Sequence, residues 1–150
     1  MTEGKKPRLV GINHVAIEVG NIDEALAWYG RIFDFVLRGK GERNAFIDMG
    51  DQFINMTLVP DHMVSGVEKR HLGFVVDDRS HIIELAKVAG ARFVEGPFLD
   101  FLDPWGNRLE IIEYSNIQFS KAPGVMRGMG LALDKNANAK KELADKGMAE

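Results

Sequence analysis

The sequence predicts an α+β fold built from two βαβββ modules, and three observations carry that prediction. A strand, a helix and three further strands can be traced twice along the chain. The two tracings register at an offset of 57 residues, which lays His14 on His71, Asn21 on Asp78, Leu26 on Ile83 and Gly39 on Gly96, the mark of an internal duplication. The second tracing ends on Asp103 to Tyr114, DPWGNRLEIIEY, where turn formers at Asp103, Pro104, Gly106 and Asn107 feed a strand rich in Leu and Ile.

In chain order, residues 1 to 8 form an unstructured lead. Ile12 to Val19 alternates as a strand does, and Asn21 or Asp23 caps a helix running from Glu24 to Phe33. Leu26, Tyr29 and Phe33 of that helix share one apolar stripe. Strands follow at Val36 to Lys40, Ala45 to Met49 and Phe53 to Val59, with turns at Lys40-Gly41 and Gly50-Asp51. Pro60 closes this module, and Asp61 to Lys69 is a linker that contains His62. The second module has a strand from His71 to Val76 and a helix from His81 to Ala89, capped by Asp78 or Ser80 and stopped by Gly90. Its last strands are Arg92 to Glu95, Phe98 to Leu102 and Arg108 to Tyr114.

Composition narrows the function classes. With 19 basic and 22 acidic side chains the net charge is -3, which favours neither nucleic acid nor an anionic membrane as partner. Cysteine is absent, which removes disulfides, thiolate metal sites and a cysteine nucleophile and suits a cytoplasmic protein. At 150 residues the chain is long enough to bury its own core, so a metal need not hold it together.

The residues that point to chemistry are two histidines and a carboxylate. Period-two alternation puts Leu109, Ile111 and Glu113 on one face of the last strand and Arg108, Glu110 and Ile112 on the other. Glu110 thus sits among apolar neighbours and needs a partner. His14 and His71 each open a strand. Two imidazoles and one carboxylate on strand faces form the ligand set that a divalent first-row metal takes.

The two βαβββ halves, the opening NHVAIEV, the helix DEALAWYGRIFDF and the closing DPWGNRLEIIEY resemble the vicinal oxygen chelate superfamily, which includes glyoxalase I, extradiol dioxygenases, fosfomycin resistance proteins and bleomycin resistance proteins. The likeness covers residues 9 to 115, as modules 9 to 60 and 70 to 115, and leaves 116 to 150 as a C-terminal extension. It implies a half-open eight-stranded barrel, a small-molecule substrate and a homodimer. It also implies a divalent ion (Fe2+, Mn2+, Zn2+ or Ni2+) on His14, His71 and Glu110, with open positions where vicinal oxygens of the substrate chelate. Dioxygenation, isomerisation or lyase chemistry would follow. A metal-free protein that sequesters a drug or metabolite is the other reading, since bleomycin-binding relatives drop the ligands.

The fourth ligand position of the family falls on Asn55, a poor ligand and no base, where glyoxalase I carries Glu or Gln. Ring-cleaving relatives carry further cavity His and Tyr residues, whereas Asp100 to Leu109 has no Tyr and Phe53 to Val59 no His. Glu18 shares a face with His14 and is a candidate general base, beside the reading of a surface charge. Thr57 and Arg108 share faces with Asn55 and Glu110 and are candidate substrate contacts, as is Phe53. Phe98, Phe101 and Trp105 either wall a pocket or fill the core. In the extension, residues 116 to 130 are expected to form a loop in which Lys121 and Arg127 face an anionic substrate or solvent. Asp134 is expected to cap a helix from Asn136 to Lys146, and Met126, Met129, Leu131 and Leu133 to pack on the barrel or on a second subunit.

Overall fold

The computed structural model describes residues 12, 14–50, 52–61 and 71–149. The lead at 1–8, His62 and the rest of the linker from 62 onward lie outside the described residues. The first module runs β1 (His14–Val19), α1 (Ile22–Gly30), β2 (Val36–Lys40), β3 (Asn44–Asp48) and β4 (Phe53–Leu58); the second runs β5 (Leu72–Val76), α2 (Ile82–Val88), β6 (Arg92–Val94), β7 (Asp100–Leu102) and β8 (Arg108–Glu113). Each folds into a four-stranded mixed sheet of the same order, β1-β4-β3-β2 and β5-β8-β7-β6. The first and last strands of a module are therefore parallel neighbours, and among the described residues no strand pairing joins the two sheets. The α+β class and the paired βαβββ modules stand, with the barrel left open.

The duplication has kept its order but not one spacing. β4 starts at residue 53 and β8 at 108, 55 residues later, whereas α1 starts at 22 and α2 at 82, 60 later. Two caps also differ from expectation. Asn21 does cap α1, its side chain accepting from the Glu24 N–H at 3.0 Å. In the second module the N-cap is His81, which makes no side-chain capping bond. Asp78 spends its carboxylate one turn earlier, on the Ser80 N–H at 2.8 Å. Helix α1 ends at Gly30 rather than Phe33, because Gly30 is a poor helix former and Arg31, Ile32 and Phe33 turn back onto the carbonyls of Trp28 and Tyr29. Gly90 stops α2 as expected, at φ +78, with Ala91 N–H reaching Ala86 O at 2.9 Å.

Strand alternation sorts each sheet into a buried and an open face. Ile17, Val19, Ile54 and Met56 point inward from the first sheet, and Phe101, Leu109 and Ile111 from the second, all in one apolar cluster with Ala25, Trp28 and Tyr29 of α1 and Ile82 and Ala86 of α2. Truncating such a fully buried side chain, Leu109 to Ala for instance, costs about 2–5 kcal/mol. Helix α1 and the turn after it serve both modules. Trp28 Nε1 donates to Ala89 O at 2.9 Å, the Trp28 ring stands edge-on to Phe101 at 6.3 Å, and Phe33 meets Phe74 at 5.7 Å. Phe101 is therefore a core residue, Trp105 packs in the core and also lines a cleft beside α1, and Phe98 is exposed.

The extension is more ordered than a loop. A single 3-10 turn, Tyr114–Asn116, leads to α3 (Pro123–Gly128) and α4 (Ala137–Asp145). Pro123 sits in the first turn of α3, where its missing N–H costs nothing. The cap of α4 is Asn136, which accepts from Ala139 N–H at 2.9 Å. Asp134 instead accepts from Lys135 N–H and pairs with Lys140 at 3.0 Å. Met129 reaches the β3–β4 turn at Gly50, so part of the extension does pack on the first module.

Candidate metal centre

The turn before β8 sets the position of everything that follows on that strand. Asp103 is fully buried and accepts four hydrogen bonds: from the Trp105 and Asn107 N–H groups on Oδ1 (2.9 and 2.8 Å), and from Asn107 Nδ2 and the Tyr29 hydroxyl on Oδ2 (2.7 and 2.9 Å). Gly106 supplies the positive φ, +89, that closes the turn. Burial outweighs those donors and holds the Asp103 carboxyl above its ordinary range. Burial, then the adjacent Asp103, pushes the Tyr29 phenol well above ordinary tyrosine. The turn is also tied to the first module. Asn107 Nδ2 donates to Glu18 O at 3.0 Å, and the Trp105 indole lies so close to Gly20 that a Cβ there would stand 2.5 Å from Nε1.

On β8, Leu109 and Ile111 go into the core and Arg108 and Glu110 come out on the open face. β5 lies parallel alongside, with Gly73 opposite Glu110. Glu110 is 18% exposed, and His71 just ahead of β5 reaches it: Nε2 lies 3.0 Å from Glu110 Oε2. That distance suits a hydrogen bond. It also leaves the nitrogen and the oxygen close enough that both would serve as ligands of one divalent ion. The nitrogen and oxygen pair thus fits a first-row divalent metal as two of its ligands.

The remaining candidates gather on the open face of the first sheet. In register, His14 lies opposite Phe53, Ala16 opposite Asn55 and Glu18 opposite Thr57. The His14 imidazole stacks on the Phe53 ring at 4.7 Å and 14°, and the Arg38 guanidinium stands 5.0 Å from the same ring. Asn55 Oδ1 is buried and accepts no hydrogen bond from the described residues. Glu18 is exposed at the far end of β1. The structure therefore divides the expected site into two half-sites, one per module: His71, Glu110 and Arg108 on one sheet; His14, Phe53, Asn55, Thr57 and Glu18 on the other. Among the described residues no three His, Asp or Glu side chains come together at metal-binding distance.

Two residues of these faces escape the sequence reading. Arg38 follows from the β2 bulge between Leu37 and Gly39, which no spacing announces. Asp100 had a visible signal, a carboxylate in the otherwise apolar FLDFL. It pairs in register with Glu110, is 3% exposed, and accepts from Arg108 Nε at 2.8 Å and from Arg108 Nη2. Two clefts of about 400 and 310 Å3 lie elsewhere, around the N-terminus of α1 and between α1 and Trp105, and neither touches these half-sites.

Duplicated βαβββ modules of like sheet order, with His14 opening the edge strand of the first and His71 just ahead of the edge strand of the second, each strand paired to the final strand of its module, define a protein of the vicinal oxygen chelate class. A family model described as the Glyoxalase/Bleomycin resistance protein/Dioxygenase superfamily matches residues 11–111, and the chain belongs to that superfamily. A metallothiol transferase, FosB of Shouchella clausii, is 26% identical over 114 residues, covering 67% of this chain and 78% of that one. The fold is shared with the fosfomycin resistance protein FosX from Mesorhizobium loti (15% identity, TM-score 0.59, 69% of this chain and 91% of the other). It is shared too with a glyoxalase/bleomycin resistance protein/dioxygenase from Alicyclobacillus acidocaldarius (23% identity, TM-score 0.53, 71% and 92%). Among the described residues no helix is long and apolar enough to cross a membrane.

Proposed function

We propose that the protein is a metal-dependent enzyme acting on a small substrate that offers the metal two vicinal oxygens. The observation that carries this is the His71–Glu110 pair at 3.0 Å on an open sheet face. His71 and Glu110 would supply two ligands and His14 the third, with Fe2+, Mn2+, Zn2+ or Ni2+ as candidates. A bound ion would act as a Lewis acid on the chelated oxygens. Around it, Arg108, Asn55, Thr57 and Phe53 would hold and orient the substrate, and Glu18 would act as base. Because His14 belongs to the other half-site, we place the complete site in a homodimer in which the first module of one copy faces the second module of its partner. Both faces are open in the single chain, which leaves them available for such pairing.

Group transfer of a thiol, the activity named for the FosB relative, is the reaction we favour within this class, ahead of dioxygenation or isomerisation. Asn55 supports placing it ahead of isomerisation, since a side-chain amide cannot take the proton that a fourth carboxylate would, and the lack of Tyr in 100–109 and of His in 53–59 supports placing it ahead of dioxygenation. Elemental analysis of protein purified without chelator, before and after anaerobic loading with Fe2+, Mn2+, Zn2+ or Ni2+, tests the reading. One ion per protomer in the wild type and a loss of at least tenfold in affinity for a folded His71→Ala variant is the expected result. Less than about 0.1 equivalent under every loading condition would favour metal-free sequestration.

A further inference from the structure

We propose that Asp100 is a positioning residue that fixes the Arg108 guanidinium beside His71 and Glu110, so that the site selects a ligand bearing negative charge next to its chelating oxygens. The inference rests on the metal reading above and adds to it the charge of the ligand and the residue that sets it.

The geometry is specific. Asp100 and Glu110 are direct cross-strand partners on the open face of the second sheet. Arg108, two residues before Glu110, shares that face and lies about 7 Å along the strand from it. Arg108 Nε and Nη2 both donate to one oxygen, Asp100 Oδ2, so the plane of the guanidinium is held along one edge. The Arg108 side chain keeps 20% of its surface exposed while Asp100 keeps 3%. The cation therefore fronts the face and the carboxylate lies behind it.

A residue kept only for stability would not have this form. Aspartate is disfavoured within strands. Its other oxygen, Oδ1, is buried and takes no hydrogen bond from the described residues, which leaves part of its desolvation uncompensated. Apolar side chains of similar volume commonly replace such buried ion pairs without loss of stability. What the pair does provide is a guanidinium with a set orientation, two residues from a carboxylate ligand. Arginine in a fixed plane recognises carboxylate and phosphate oxygens through paired N–H groups, which a mobile lysine does not match. Charge on this sheet points the same way: a divalent ion and Arg108 outweigh Glu110 and Asp100, so the second-module half-site favours an anion.

The test uses Mn2+-loaded full-length protein and two chelating probes: oxalate, which is dianionic, and acetohydroxamate, which offers the same vicinal oxygens with less charge. Binding is read by water-proton relaxation of the bound Mn2+, alongside thermal melting. For Asp100→Ala and Arg108→Lys, Mn2+ affinity should stay within about threefold of wild type while oxalate weakens about tenfold or more and acetohydroxamate barely moves, as expected for loss of one charge-assisted contact. Asp100→Asn, which keeps the volume and one acceptor but drops the charge, should fall between wild type and Asp100→Ala, and it serves if the alanine variant does not fold. A wild-type ratio of oxalate to acetohydroxamate affinity in the folded Asp100 variants overturns the inference and leaves the metal reading intact. Wild-type protein that takes up none of Mn2+, Fe2+, Zn2+ or Ni2+ overturns both; if another of these ions loads in place of Mn2+, the same two probes are titrated against that form by calorimetry, with the same ratio deciding.

Discussion

The Tyr29 hydroxyl donates to Asp103 Oδ2 at 2.9 Å, joining the helix of the first module to the turn of the second across 74 residues of chain. Both groups are buried, so the contact carries weight that a surface bond would not. Asp103→Ala strands four donors at once, two of them backbone N–H groups, and should cost about 3 kcal/mol or more. Tyr29→Phe removes one donor and leaves the other three in place, for about 1–3 kcal/mol. Urea unfolding of the two variants checks the ranking, and an Asp103→Ala loss no larger than that of Tyr29→Phe would deny the turn its role as the joint.

The same contact sets a pH dependence. Folding raises the Tyr29 pKa, so above about pH 10 the unfolded chain releases a phenol proton that the native chain keeps. The native state then binds more protons than the unfolded one, and stability falls as pH rises past that point. Asp103, also raised, gives the same sign in the acid range: its contribution is greatest below the ordinary carboxyl value and declines as pH rises to the value it has when folded. Unfolding free energies of wild type and Tyr29→Phe measured from pH 8 to 11 should converge above pH 10, the wild type falling toward the flatter variant. Parallel curves would show that some other group controls the alkaline limb.

If the complete site lies between two copies, two inactive variants should repair each other. Mixing His14→Ala with His71→Ala produces heterodimers in which one site has lost both histidines and the other has lost neither. With free exchange of subunits, about a quarter of wild-type metal should return. Each variant alone should bind weakly. Metal titration after co-incubation makes the measurement, and no recovery despite proven subunit exchange would place the site within one chain.

The fold was legible because alternation and turn chemistry are local. Val36–Lys40 appears at the bounds its residues suggest, and Gly90 stops α2 where its backbone freedom allows. The misses are long-range or competitive. Asp78 was a plausible cap, but it is drawn to Ser80 one turn early, and nothing in a single sequence weighs those two uses. Pro123 was the unread sign of α3. For the site, the pairing of His71 with Glu110 could be anticipated from the parallel neighbours that a βαβββ module implies. Asp100 could not be assigned a role, since its function depends on the cross-strand register to Glu110 and on which oxygen Arg108 engages. The resemblance implies that His14 comes from the other module, across the pseudo-twofold, but equivalence of His14 and His71 in a repeat says nothing of whether the repeats dock within one chain or between two.

Gly50 links the extension to the first half-site and gives it a measurable part in stability. It turns the chain between β3 and β4 at φ +92, a few residues before Phe53 and the His14 stack. A Cβ there would meet Met129 Sδ at 2.6 Å and Val125 Cγ1 at 3.0 Å. Gly50→Ala should therefore cost about 1–2 kcal/mol from the backbone alone and additionally displace α3. The two parts can be separated. Limited proteolysis should cut the extension between α3 and α4 faster in Gly50→Ala, and the double variant Gly50→Ala, Met129→Ala should recover some of the lost stability by making room for the methyl group. If the single variant is destabilised yet its extension is cut at the wild-type rate, the strain is confined to the turn and Met129 is not what holds the extension there.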